Sequence, residues 1–396
     1  ASDKSGRTFN NPYQYFFEQM HMDDAIYADE SIYEYPMQQG GGNDGRPYSF
    51  GRPSSGGSKA AYPCKSYGQG RINPAYFYGV FDPNDMRRDV SITMTGSNGK
   101  GVEKLIPFVP NSKAEGGGLT LNKWDENRQA NPWVAAQRKS GINGPYMRMS
   151  EVYLGYAEVC AALGDVVTGK QYLKTVRERS FPQGLANTDA FIASFGNDLV
   201  RAIIEERGFE YAGEGDRRWT LIRSGYLPED IKRIKDMTKA MMDGLATKGY
   251  YEFENGNIIS AYIWTKLVDA KTIYGHRLTA QCPTDKVNDP VLYPGWRGQK
   301  DNWEEMGLNY GSSTPATNLA IKGLFEIVSE EEAASLESQG YTKVNWGIDL
   351  VDNRDEYDKY LFWDYDYVSA PIYLWPFTPN VMAAGGFTNG YGFKQE

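Results

Sequence analysis

Histidine and cysteine are scarce in this chain: two histidines (His21, His276) and three cysteines (Cys64, Cys160, Cys282) among 396 residues. With so few imidazoles a zinc hydrolase needs unusual ligands, and a serine or cysteine nucleophile has few bases to activate it. Neither G-x-S-x-G nor H-E-x-x-H occurs. Three widely spaced cysteines make neither a disulfide framework nor a zinc pattern. Lysine and arginine form no run, and the net charge is -9 with a pI near 5.1. The chain therefore lacks the electrostatic footprint that nucleic acid phosphates require. No stretch approaches the roughly 18 consecutive apolar residues of a spanning helix, and Ala1 to Asn10 has no basic start leading into an apolar core.

Aromatic rings and turn formers are abundant instead. Tyrosine (29) outnumbers phenylalanine (17) and tryptophan (9). A tyrosine presents an apolar ring with a polar tip, which suits binding surfaces and the contacts of loops with a core, the second use accounting for most of them. Gly 43 and Pro 20, in a composition 40% hydrophobic and 23% charged, predict long ordered loops around a smaller regular core. The pattern divides into a loop-rich segment 1–145, a helical core 146–245 and a loop-rich segment 246–396, all within one unit.

In the first segment, a helical pattern around Tyr13 to Met20 precedes a strand-like Ser31 to Tyr35. Gln38 to Ser58 is a long loop carrying Arg46, Tyr48, Phe50 and Arg52, a candidate binding loop. Val90 to Thr95 and Val102 to Val109 predict a hairpin turning near Asn98-Gly99, with Asp85 to Asp89 as its charged approach. Another loop, Lys113 to Gly144, holds Trp124 and Trp133.

From Met147 onward the signal is helical. Met149, Val152, Tyr153, Tyr156, Val159, Cys160 and Leu163 recur at three- and four-residue steps and give one apolar face, ended by Gly164. Lys170 to Arg179 restarts the pattern after a connection that forces an antiparallel hairpin. A third helix starts at Asp198 as N-cap and runs toward Tyr211; Asp216 to Arg223 adds a turn or two, and a further helix covers Glu229 to Leu245. A charged helix is expected near Glu330 to Gln339.

Several motifs resolve into structural uses. Gly164 to Lys170 has phosphate-loop spacing, but Gln171 stands where Ser or Thr is needed and a helix precedes it. Gly40, Gly42 and Gly45 fit G-x-G-x-x-G only through glycine richness. Glu206, Glu210 and Glu214 share one helix face, and Arg201, Arg207, Arg217 and Arg218 around them favour an ion-pair network over acid/base chemistry. Asp82 to Asp85 and Asp285 to Asp289 lack EF-hand spacing and are expected as solvated turns. No metal, cofactor or catalytic residue is assigned; a glycosidase-type Asp/Glu pair is the rival enzymatic reading.

Two blocks resemble the SusD/RagB family. Met147 to Glu158 (MRMSEVYLGYAE) looks like that family's R-x-A-E-V-x-L-x-Y-A-E-A helix. Ile204 to Glu210 with Gly215 to Arg223 is similar to its E-R-x-x-E-x-x-x-E-G-x-R-W-x-D-L-x-R. Glu30 to Glu34, Asp85 to Arg88 and Tyr373 to Pro379 resemble shorter family motifs. Thr220 departs from the usual Asp, and Met382 to Phe393 is glycine-rich where the family has N-P-x-L-x-Q-N-P. Family members place a lipidated cysteine and a long helical region before the first strand motif, so this chain is expected to lack its N-terminal part.

The resemblance implies a mainly α fold with a tetratricopeptide-like helical core, long ordered loops and a few short strands. It implies a non-catalytic lipoprotein at the extracellular face of the outer membrane, held by an anchor outside this chain. Such a protein takes part in polysaccharide utilisation, capturing an oligosaccharide, or in RagB-like members a peptide, for a SusC-like TonB-dependent barrel transporter. Family sites lie in loops before the helical motif. The expected stacking residues are accordingly Tyr48, Tyr62, Tyr67, Trp124 and Trp133, with Arg46 and Arg52 as polar contacts, since sugar C–H faces stack on rings while polar groups satisfy hydroxyls.

Overall fold

A computed structural model describes residues 12–21, 30–38, 50–51, 70–97, 103–108, 118–124, 141–269, 317–355, 377–386 and 388. In chain order these form α1 (Pro12–His21), β1 (Ser31–Tyr35), a π-helical turn (Tyr76–Val80), α2 (Arg87–Ser91), β2 (Ile92–Thr93), β3 (Thr95–Ser97), β4 (Glu103–Leu105), β5 (Thr120–Leu121) and β6 (Gly144–Arg148). The helical middle is α3 (Met149–Ala162), α4 (Val166–Glu178), α5 (Thr188–Ala193), α6 (Leu199–Glu210), α7 (Asp216–Ser224) and α8 (Leu227–Lys248). β7 (Tyr250–Glu252), β8 (Ile258–Ser260), β9 (Tyr262–Asp269), β10 (Thr317–Lys322), α9 (Glu330–Ser338), β11 (Thr342–Asn345), α10 (Gly347–Asp352) and α11 (Pro379–Gly385) follow. The architecture is mainly α, with short strands paired in twos and one group of three. Among the described residues no helix is long and apolar enough to cross a membrane.

Short polar side chains start the helices by accepting otherwise orphaned backbone N–H groups. Asp165 accepts from Thr168 before α4, Asn187 from Ala190 before α5, Asp198 from Arg201 before α6 and Ser329 from Glu332 before α9. Gly164 follows α3 at φ +88°, the left-handed conformation expected of it. Gly169 lies where α4 crosses α3: a Cβ there would fall 2.9 Å from the carbonyl oxygen of Ala157. Both glycines of the phosphate-loop lookalike thus serve helix geometry.

The apolar stripe of α3 is divided differently from its periodicity. Val152, Tyr156, Val159 and Leu163 are exposed, Leu163 at 82%, whereas α3 buries Ser150, Leu154, Ala157 and Cys160. Ala157 opposite Gly169 lets α4 approach closely, and Leu154 completes a cluster with Leu173, Val176, Ala202 and Ile203. Small residues choose the packed face here, because large ones would hold the helices apart.

The largest core gathers elements distant in sequence. Phe77, Tyr78 and Phe81 pack with Met241, Met242 and Leu245 of α8, Ile263 of β9, Phe325 and Trp346. The Trp346 indole N–H donates to the Tyr78 hydroxyl at 2.8 Å. β9 is the central strand of an antiparallel sheet: Thr265 pairs with Ile321 of β10 on one side and Thr342 of β11 on the other. This sheet lies in the region expected to be loop-rich.

The hairpin exists but is shorter than the sequence suggests. β3 pairs with β4, Thr95 opposite Leu105, while Val90 belongs to α2 and Ile92–Thr93 pair with Thr120–Leu121. The charged approach is not solvated: Asp85, Arg87, Arg88 and Asp89 are all buried.

Candidate functional site

The three glutamates of α6 and the turn after it do enter ion pairs, but with arginines from elsewhere. Arg87 of α2 donates to Glu206 at 2.6 Å and Glu210 at 3.2 Å, and it also grips Asp85 at 2.7 Å. Arg177 reaches Glu206 at 2.8 Å, and Arg179 reaches Glu210 and, at 2.8 Å, Glu30. Arg148, just before α3, bridges Glu30, Glu210 and Glu214 at 2.7–2.9 Å, and Lys123 meets Glu214 at 2.6 Å. Arg201 and Arg217 pair with Glu205, and Arg207 with Glu151 and Asp216. The expected partners are thus replaced by residues from four other chain regions, a choice that local spacing does not encode.

Five cations (Arg87, Lys123, Arg148, Arg177, Arg179) face five anions (Glu30, Asp85, Glu206, Glu210, Glu214), so the network is neutral. Burial pushes the Glu210 carboxyl upward, but Arg179, Arg148 and Arg87 together hold it well below the usual carboxylate range. Glu214 is likewise raised by burial and brought below its ordinary value by Arg148 and Lys123. Burial lowers the Lys123 ammonium to about 8, against the pull of Glu214. Carboxylates so firmly ionised and paired hold the structure and do not shuttle protons.

A cleft of about 500 Å³ opens beside the Glu214 end of this network. Its lining comes from Phe50, Gly70, Arg71, Ile72, Leu121 and Trp124 and, after α6, from Tyr211, Gly213, Glu214, Gly215, Arg217 and Arg218. Leu121 sits on its floor between two glycines, for a Cβ on Gly70 or on Gly213 would come within 2.5 Å of its methyl carbons. Gly213 has φ +82°, which also favours glycine. The network reaches the cleft directly, since Lys123 precedes Trp124 and is fixed by Glu214 and by the Glu210 carbonyl at 3.3 Å.

Of the residues expected from sequence to bind ligand, Trp124 is described. Its indole is fully buried, packed with Leu121 and Ile142, so it is a wall of the scaffold here and offers no open ring face. Arg46, Tyr48, Arg52, Tyr62, Tyr67 and Trp133 lie outside the described residues. The ends of the segments that carry them are described, and they meet. The chain arrives at Phe50 two residues after Tyr48, returns at Gly70 three residues after Tyr67, and departs toward Trp133 from Trp124. Phe50, Gly70 and Trp124 all line the one cleft. Sequence reasoning placed Phe50 in the candidate loop but missed Arg71 and Arg218 as its neighbours, which only the fold brings together.

A second aromatic surface escaped the sequence reading altogether. On the ribbon formed by β1 and β6, Tyr33, Tyr35 and Tyr146 are each more than half exposed, and the Tyr33 and Tyr146 rings meet edge to face at 5.7 Å. Among the described residues no group of three His, Cys, Asp or Glu is arranged to hold a metal ion.

Comparison with known proteins decides the relationship. The SusD family profile matches residues 4–376. This chain belongs to the SusD family. SusD-like protein P25 of Formosa agariphila is 28% identical over 160 residues, which cover 40% of this chain and 26% of that protein. A SusD homolog from Bacteroides thetaiotaomicron, known as a crystal structure, is 19% identical, with 59% of this chain and 49% of that one covered at a TM-score of 0.43. Surface glycan-binding protein A of the same organism, solved in complex with laminarihexaose, is 17% identical, with 58% and 48% covered at 0.40. The chain spans about half the length of these solved relatives and about a quarter of the Formosa protein. The two SusD-like sequence motifs fall on α3 and on α6 with α7, where Glu206, Arg207, Glu210 and Arg217 are all engaged in ion pairs.

Proposed function

We propose that this chain is a non-catalytic capture protein for oligosaccharides, working at the outer face of the outer membrane and passing its ligand to a SusC-like TonB-dependent transporter. The observation that carries the reading is the convergence at Phe50, Gly70 and Trp124 of the segments bearing Arg46, Tyr48, Arg52, Tyr62, Tyr67 and Trp133. Rings and arginines carried by separate segments whose ends meet at one cleft suit a ligand whose C–H faces stack and whose hydroxyls need donors. Membership of the SusD family supports it. The paired state of the α6 carboxylates argues against their use in hydrolysis.

Titration calorimetry against a panel of soluble oligosaccharides is expected to give binding with no product formed. Trp133→Ala or Tyr48→Ala should weaken it about tenfold while leaving thermal unfolding unchanged. Released reducing ends, abolished by a single Asp or Glu substitution, would make the protein a glycoside hydrolase instead. Binding of peptides and no glycan would make it a peptide-capturing protein.

A further inference from the structure

A second cleft, of about 390 Å³, borders α6 at Glu205 and Phe209 and is lined by residues that the first does not use. Phe191 and Phe195 of the α5 region are half-buried and supply ring surface, with Phe209 of α6 buried behind them, and Phe191 stands edge to face with Phe195 at 5.2 Å. Arg177 and Arg233 line it with donors left over. The Arg177 side chain is 6% exposed, gives Nη1 to Glu206 at 2.8 Å and lies 3.8 Å from the centre of the Phe191 ring, yet its Nε–H has no acceptor among the described residues. Arg233 gives Nη2 to Asp230 at 2.6 Å, and its Nε–H is unmatched as well. Asp82, also in the lining, accepts the Asn84 N–H on Oδ1 at 2.8 Å and has no ion-pair partner among the described residues.

We propose that this cleft is a binding site for a single sugar ring or a similar small polyol. Buried donors without acceptors call for ligand oxygens. An anion is a poor fit, because Asp82, Asp85 and Glu205 share the lining and the charges of Arg177 and Arg233 are already matched by Glu206 and Asp230. An apolar guest leaves both Nε–H groups unpaired. Hydroxyl groups accept from the guanidinium donors and donate to Asp82, and a pyranose presents a C–H face to Phe191 or Phe195. The volume lies at the lower end of small-molecule sites, in keeping with a single ring.

The proposal is independent of the loop-bearing cleft. Saturation-transfer NMR on the full chain with glucose, galactose and myo-inositol should show saturation of at least one probe. Ser194→Trp, which adds bulk at an exposed position of the lining and touches none of the ion pairs, should abolish that signal, and Arg233→Gln should weaken it about tenfold. Oligosaccharide binding that depends on Trp133 should be unchanged in both variants, and thermal unfolding should confirm that Ser194→Trp folds. No saturation with any probe, saturation that survives Ser194→Trp, or stronger competition by glucuronate than by glucose would overturn the proposal.

Discussion

Glu210 shows how the charged centre holds together. It accepts from Arg87, Arg148 and Arg179, and its own backbone carbonyl takes the Tyr13 hydroxyl at 2.6 Å. Removing its charge while keeping its shape leaves three buried guanidinium groups short of a partner. Loss of one partner from a buried ion pair costs on the order of 3–5 kcal/mol, far more than a surface pair contributes. Glu210→Gln should therefore lose about that much stability in urea denaturation. A loss under about 1 kcal/mol would mean that the cluster behaves like an exposed network. Sequence spacing suggested that these glutamates pair, yet it pointed to Arg201, Arg207, Arg217 and Arg218. The actual partners lie 29 to 123 residues away, and those separations are a property of the fold.

At the scale of elements, helix α6 was legible because its cap and its content are local: Asp198 accepts from the Arg201 N–H, and the helix begins at the next residue. The strand Ser31–Tyr35 was legible for the same reason. The face that α3 buries was not, since Val152, Tyr156 and Val159 form as good a stripe as Leu154 and Ala157 until Gly169 of α4 is known to stand opposite Ala157. Nor was the sheet around β9, whose neighbours β10 and β11 begin 48 or more residues after β9 ends and whose strands carry no turn signal linking them. Gly169→Val tests the crossing of α3 and α4. The new side chain meets backbone at 2.9 Å and 3.2 Å, which cannot rotate away, so about 1–3 kcal/mol should be lost in thermal or urea unfolding. Gly155→Val, whose Cβ meets nothing within 4 Å, should be neutral or slightly stabilising, because valine is the better helix former of the two. Equal losses in the two variants would show that the close crossing is not what selects glycine at 169.

For the whole molecule, the balance of charges predicts how stability follows pH. Glu210, Glu214 and Asp230 are held below their ordinary values by neighbouring arginines against the opposing effect of burial. Their contribution is present above the unfolded carboxylate value of about 4.3 and is lost as the pH falls below it. Lys123 works in the other direction. Its folded value of about 8 lies under the unfolded value, about 10.4, so the unfolded chain binds that proton more tightly and stability should rise between these two pH values. Burial raises the Tyr13 and Tyr211 phenols above their ordinary value of about 10, so their effect enters only beyond that pH. Urea midpoints measured at pH 3, 7 and 9.5 should rise in that order, and the last step should vanish in Lys123→Met. A midpoint at pH 3 equal to that at pH 7 would contradict the pairing of the three carboxylates.

The chain reaches Phe50, Gly70 and Trp124 at fixed places on a base clamped by Leu121 and Lys123, so the stretches that leave and re-enter there are fixed at those ends. Closing a longer stretch between the same two ends is entropically mild, about 0.6 kcal/mol for each doubling of length. Insertion, deletion or exchange within residues 52–69 or 125–140 should therefore cost little stability beside any change to the ten charges of the buried network. The base acts as a socket: one folding solution can be kept while the chain segments anchored at its edge are rewritten.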